Sequence, residues 1–169
     1  MSLKLRVAES IDRLEKRLEA LKYLAGHEVN VGLTEGASER NRFILAVQEH
    51  GSPVMRIPPR PVIRPGLARE ETRAEMTEAM MEAVEAAQEG DVDGVRAGME
   101  RCGQAGADGI RAYIDAGIKP GNSPVTVNGG WIYNRVAKTG VPVGGKGFDK
   151  PLYETGELYG AFDYEVKEK

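Results

Sequence analysis

The side chains able to do acid–base or nucleophilic work are few: two histidines, His27 and His50, and one cysteine, Cys102. Histidine titrates near neutrality, but it needs a nucleophile or a metal partner at a defined spacing. His27-Glu28 lacks the second histidine of H-E-x-x-H, and His50, between Glu49 and Gly51, has no G-x-S-x-G serine or cysteine nucleophile to serve. Gly140, Gly145 and Lys146 reproduce the glycines and lysine of G-x-x-x-x-G-K. Gly147 follows where a Ser or Thr must hold magnesium, and Phe148-Asp-Lys-Pro cannot open the helix whose N-terminus cradles phosphate. A single cysteine allows neither an internal disulfide nor a thiolate cluster, which fits a reducing compartment. The glutamates of 67–89 read as a solvated helix face, because acid–base work needs carboxylates held in unlike environments. The expectation is no catalytic residue, no cofactor and no metal; an unrecognised hydrolase would need a buried carboxylate pair in a cleft.

Cations and prolines carry more information. Residues 51–65 read GSPVMRIPPRPVIRP, with five prolines around Arg56, Arg60 and Arg64. Prolines pre-set an extended path, so such a loop loses little entropy on docking. It reads either as a plain connection into the next helix or as a stiff recognition arm, and no regular element is expected in it. Residues 119–150 carry Lys119, Arg135, Lys138, Lys146 and Lys150 against Asp149, a net +4, whereas 66–100 carry ten acids against Arg69, Arg73 and Arg96, a net −7. Such segments attract one another within a chain or between copies. The whole chain is acidic, at −3, which disfavours nucleic-acid binding by overall charge.

These groups must be positioned by a thin core. Leu, Ile, Val and Phe number 37 of 169, and Gly and Pro together 30, so one domain with many loops to tether is expected, one that finishes ordering when it assembles. Nothing approaches a membrane span, and the charged N-terminus does not read as a secretory signal; a soluble intracellular product is expected. Val7, Ile11, Leu14, Leu18 and Leu21 recur at steps of 4, 3, 4, 3, giving an N-terminal helix (1–26) with one apolar seam. That seam serves either its own domain or a partner helix. Val29, Val31 and Leu33 alternate as a half-buried strand over 28–33, followed by a short helix over 38–48. Residues 67–89, free of Gly and Pro, and 92–116 form a helical hairpin broken at Gly90-Asp91.

Within the second helix Gly94, Gly98, Cys102 and Gly106 fall every fourth residue, with Gly103 and Gly109 beside them. Each glycine costs about 1 kcal/mol relative to alanine. A helix or sheet must therefore approach this face closely, with Val95, Met99, Ile110, Tyr113 and Ile114 making the larger contacts. Cys102 reads as a small packing residue there. Further on, Asn128-Gly-Gly130 is expected to turn a hairpin between Thr126-Val127 and Trp131-Ile-Tyr133, in an otherwise long, flexible basic loop over 119–150. The expected fold is α+β: a small mixed or antiparallel sheet, pairing 28–33 with 161–167, packed on the helical hairpin.

Three features occur in order: Val47-Gln-Glu-His-Gly51, Ile57-Pro-Pro-Arg-Pro-Val-Ile-Arg-Pro65, and Lys150-Pro-Leu-Tyr-Glu-Thr-Gly-Glu-Leu158 before a terminal strand. With Ile110-Arg-Ala-Tyr-Ile114-Asp-Ala-Gly117, the set resembles the neck or tail-completion proteins of long-tailed bacteriophages and prophages, the head-to-tail joining group of virion morphogenesis. The resemblance spans about 28–167; the insertion between Pro124 and Phe148 and the 3–24 helix depart from its pattern. It implies a non-enzymatic subunit that forms a ring, sixfold in the family's usual form, between head connector and tail terminator or tail tube, first in the host bacterial cytoplasm and then in the virion neck. Interface roles are implied for Glu49, Gly51, Pro58, Arg60, Pro61, Arg64, Thr155, Gly156 and Leu158. On this reading Arg60→Ala is expected to spare the fold and impair head–tail joining, and contact with DNA is not expected. The rival class is a nucleic-acid-binding accessory protein using Arg56, Arg60, Arg64 and the 119–150 loop; it predicts retention on heparin that falls steeply with salt.

Overall fold

The structure is a computed structural model and describes residues 3–54, 56–134, 138–149, 151–152 and 156–169. Its spine is the helical hairpin α4 (Glu70–Glu89) and α5 (Val92–Asp115), preceded by α1 (Leu3–Gly26), β1 (His27–Leu33), α2 (Glu39–His50) and α3 (Ile63–Leu67). After it come α6 (Pro124–Asn128), the strands β2 (Gly130–Asn134) and β3 (Thr139–Val143), α7 (Glu157–Gly160) and β4 (Phe162–Glu168). This is the expected α+β fold: a small antiparallel sheet on a helical hairpin, with an N-terminal helix.

The hairpin breaks where its residues dictate. Gly90 takes the left-handed conformation (φ 84°) and donates to the carbonyls of Ala86 and Ala87, and Asp91 caps α5 by accepting from Gly94 N at 3.0 Å. Close approach then explains the glycines. A Cβ on Gly98 would lie 2.7 Å from Ala83 Cβ and 2.9 Å from the Ala79 carbonyl oxygen, so α4 and α5 touch backbone to backbone. On the adjoining face a Cβ on Gly103 would run into the Tyr164 ring and one on Gly106 into Val31, which is how the sheet comes down onto α5. The stripe therefore meets both a helix and a sheet, and Val95, Met99, Ile110 and Ile114 are buried beside it. Burial of each such side chain is worth about 1.5–3 kcal/mol, enough to offset the glycines.

β1 and β4 pair antiparallel in the register Val29↔Val166, Val31↔Tyr164 and Leu33↔Phe162, which puts the alternating apolar residues on one face. Phe162, fully buried, joins Leu45, Val62, Ile110, Ile114, Ile118 and Leu158 in one core cluster. A second, smaller cluster holds Ala20 of α1 against Ala83, Ala87, Val95 and Met99. Tyr23 anchors α1 further by stacking on His27 at 3.8 Å and lying under Arg96 at 5.5 Å.

Several expectations are corrected. The proline-rich stretch is not devoid of regular structure: Ser52 and Ile57 form a β-bridge, and α3 starts two residues before Pro65, whose missing N–H costs little in a first helical turn. Ala68 and Arg69 separate α3 from α4, so the helix expected from 67 begins at Glu70. The 119–150 segment is not an unbroken flexible loop, since it holds α6, β2 and β3. Its hairpin does not turn at Asn128-Gly-Gly130. Gly129 instead ends α6 with φ 78°, donating to Val125 O, and β2 pairs with β3 beyond it. The seam of α1 does not pack on its own domain: Ile11, Leu14, Leu18 and Leu21 are 51, 63, 53 and 47% exposed.

Candidate assembly interface

The Glu-x-Gly turn, the proline–arginine loop and the segment after Ile118 converge on one junction, built outward from the end of α2. Gly51 ends that helix with φ 73°, and a Cβ there would sit 2.9 Å from both Ile57 O and Pro59 N. Only glycine lets the loop fold back this tightly. Two residues earlier, the Glu49 carboxylate accepts from Val62 N (2.6 Å) and Ile63 N (3.0 Å), satisfying donors at the start of α3. Glu49 and Gly51 thus close the loop onto its own protein.

Arg60 does the same from the middle of the loop. It is 7% exposed, and its guanidinium donates to Pro120 O (2.6 Å), Gly121 O (2.7 Å) and Gln48 Oε1 (3.2 Å), while its backbone N–H donates to Gln48 O (2.5 Å). Burial pushes its pKa below the ordinary arginine value, with nearby Asp149 acting in the opposite sense. Asp149 belongs to the same junction, accepting from Asn122 N at 2.6 Å. Arg60 is therefore a clamp between α2 and the 120–121 backbone, and the geometry makes a loss of stability the expected result of removing it.

The remaining implied residues divide. Pro58, Gly156 and Leu158 line, with Arg60, a cavity of about 460 Å³ whose wall also carries Arg40, Arg56 and Lys146. Leu158 belongs at the same time to the core. Pro61 and Arg64 are exposed, outside this cavity. Thr155 lies outside the described residues. Asn122 Nδ2 is buried at the cavity with no partner among the described residues.

None of the chemistry-bearing residues combines into a reaction centre in the described residues. His27 Nδ1 lies 2.8 Å from Tyr23 O, His50 is exposed at the end of α2, and burial raises the pKa of the Cys102 thiol. Among the described residues no group of three His, Cys, Asp or Glu could hold a metal ion, and no helix is long and apolar enough to cross a membrane.

No family model, curated protein or solved structure matches the chain.

Two surfaces that the implied residues did not include carry large apolar side chains in the open. On the β2–β3 hairpin, Trp131, Ile132 and Tyr133 are 70, 52 and 66% exposed, and Val141 of β3 is also exposed. Large exposed apolar side chains on adjoining positions mark contact surfaces. The other is α1, where all residues from 8 to 19 are exposed although Lys16 and Arg17 lie close against Gly90. Sequence spacing found the α1 seam but not its outward aim. The hairpin was signalled by its aromatic run and missed because Asn-Gly serves a helix end as readily as a turn.

Proposed function

We propose that this chain is a structural subunit of a phage or prophage virion, one that forms a ring with copies of itself and joins the head connector to the tail. The observation that carries the reading is the display of apolar side chains on two elements outside the core clusters, the α1 seam and the β2–β3 hairpin. Burying such surfaces in head-to-tail contacts supplies the apolar area that a thin core lacks, and a heterologous contact of this kind closes into a ring when its rotation allows. The ordered motifs around Glu49, the proline–arginine loop and Gly156 support the assignment to the neck. Their role in this reading is to brace the body from which the two arms project.

The nucleic-acid reading draws less support. Arg60 already donates to protein acceptors, which leaves Arg56 and Arg64 without it. Deleting the gene from the genome that encodes the chain tests the proposal: filled heads and free tails should accumulate apart in electron micrographs. Intact virions in that deletion, or steeply salt-dependent retention of the pure protein on heparin, would sink it.

A further inference from the structure

We propose that the apolar seam of α1 in one copy docks into a methionine-lined groove on α4 of the next copy. This deepens the ring reading by naming the contact, and rests on it for the expectation that copies meet.

The groove runs along α4 where it borders Cys102 of α5, has a volume of about 600 Å³, and is floored by Met76, Met80, Met81 and Val84. Met81 and Val84 are 59 and 40% exposed. Unbranched thioether side chains adapt their shape to a partner, which suits methionine to a docking surface. The seam and the groove also match in length. Ile11 to Leu21 covers about 15 Å of helix, and Met76 to Gln88 about 18 Å.

Charge selects the occupant. α4 carries seven glutamates against Arg73 alone, and Glu78 and Glu85 stand exposed along its outer face. α1 carries six Lys and Arg against four Asp and Glu. Beside its seam stand the exposed Arg13, Arg17 and Lys22, with Glu15 and Glu19 as the bordering acids, a net +1. A basic-edged apolar helix therefore faces an acidic-edged apolar groove. The pairing is between copies because α1 already uses another face at home. Ala20, Tyr23 and Leu24 pack in the core cluster with Ala83 and Ala87, about 140° around the helix from the seam at 100° per residue. The exposed stretch of α1 also calls for a partner, since a segment this short is marginal as a helix in water without one. The contact is heterologous, arm to groove, and so propagates around a ring.

Sedimentation of the full chain across a concentration series tests this. The wild-type mass should rise above the 18.4 kDa monomer with concentration. Leu14→Glu with Leu18→Glu, and separately Glu78→Lys with Glu85→Lys, should each hold the chain at monomer mass with helical circular dichroism retained. Arg13→Glu with Lys22→Glu, added to the α4 reversal in the same chain, should restore assembly. If a double variant loses helix, the single substitutions Leu14→Glu and Glu78→Lys decide. Wild-type assembly by the α4 reversal would overturn the contact while leaving the ring reading standing, since the copies would then meet arm to arm or elsewhere. A wild type that stays monomeric up to its solubility limit overturns the contact as well, and head–tail joining in the deletion then decides the neck reading by itself.

Discussion

The proline–arginine loop and the β2–β3 hairpin look alike as sequence, two irregular basic stretches on either side of the helical hairpin, yet they are built in opposite ways. Around Arg60 and Glu49 the loop is closed by five hydrogen bonds from or to their side chains, and it buries its own Val62 in the core. The β2–β3 hairpin has its own ladder of paired residues but holds Trp131, Ile132 and Tyr133 out to solvent. The difference teaches that stiffness and availability are separate properties. The first stretch, stiffened by its prolines, is tied down as a buttress; the second keeps its large side chains outside both core clusters.

The largest effect should come from removing the clamp. Arg60→Ala takes a buried charged donor away from the carbonyls of Pro120 and Gly121 and from the Gln48 amide oxygen; a bond to a charged group is worth about 1.5–3 kcal/mol, and water regains part of it at the two exposed residues. A total loss of about 2–4 kcal/mol is expected in urea unfolding, with early loss of order around Gly121 in hydrogen exchange. A variant as stable as the wild type would return the loop to the status of an arm. Next in size is Gly51→Ala, which combines positive φ with close backbone contacts to Ile57 and Pro59. It should cost about 1–3 kcal/mol, read as a lower urea midpoint at unchanged slope. Glu49→Ala, which strips two amide donors of their acceptor at the start of α3, should cost about 1–2 kcal/mol. The thermal midpoint is the measure, and no change would mean that solvent replaces the carboxylate.

How much of this was legible in the sequence depended on how local the cause was. Val29, Val31 and Leu33 announced a half-buried strand because period two is a property of the strand itself, and their pairing with β4 followed. The glycines of α5 announced close approach, because nothing else compensates so many of them in one helix; Gly98 against α4 and Gly103 against Tyr164 are that approach. The clamp made by Arg60 was not legible, because its acceptors are backbone carbonyls some sixty residues away, and backbone acceptors leave no mark in composition. The α1 seam was legible as a seam, but spacing fixes only which residues share a face. Whether that face meets the body depends on Ala20 and Tyr23 having taken the docking side first.

The smallest expected change in stability is the one that most sharpens the contrast. Trp131→Ala removes the chain's single tryptophan from a position 70% exposed, and no core cluster includes it. An exposed substitution of this kind should move stability by no more than about 0.5 kcal/mol, while the same change on a working arm should reduce joining of heads to tails. Because there is one tryptophan, the wild type reports on itself: its emission should be red-shifted and readily quenched by acrylamide in the free chain, and should shift to the blue and resist quenching when a partner covers the hairpin. A large loss of stability in Trp131→Ala would place the ring in the core. Unchanged joining with an unchanged fold would show that β2–β3, however exposed, is not where the neighbour binds, and would leave α1 as the arm that carries assembly.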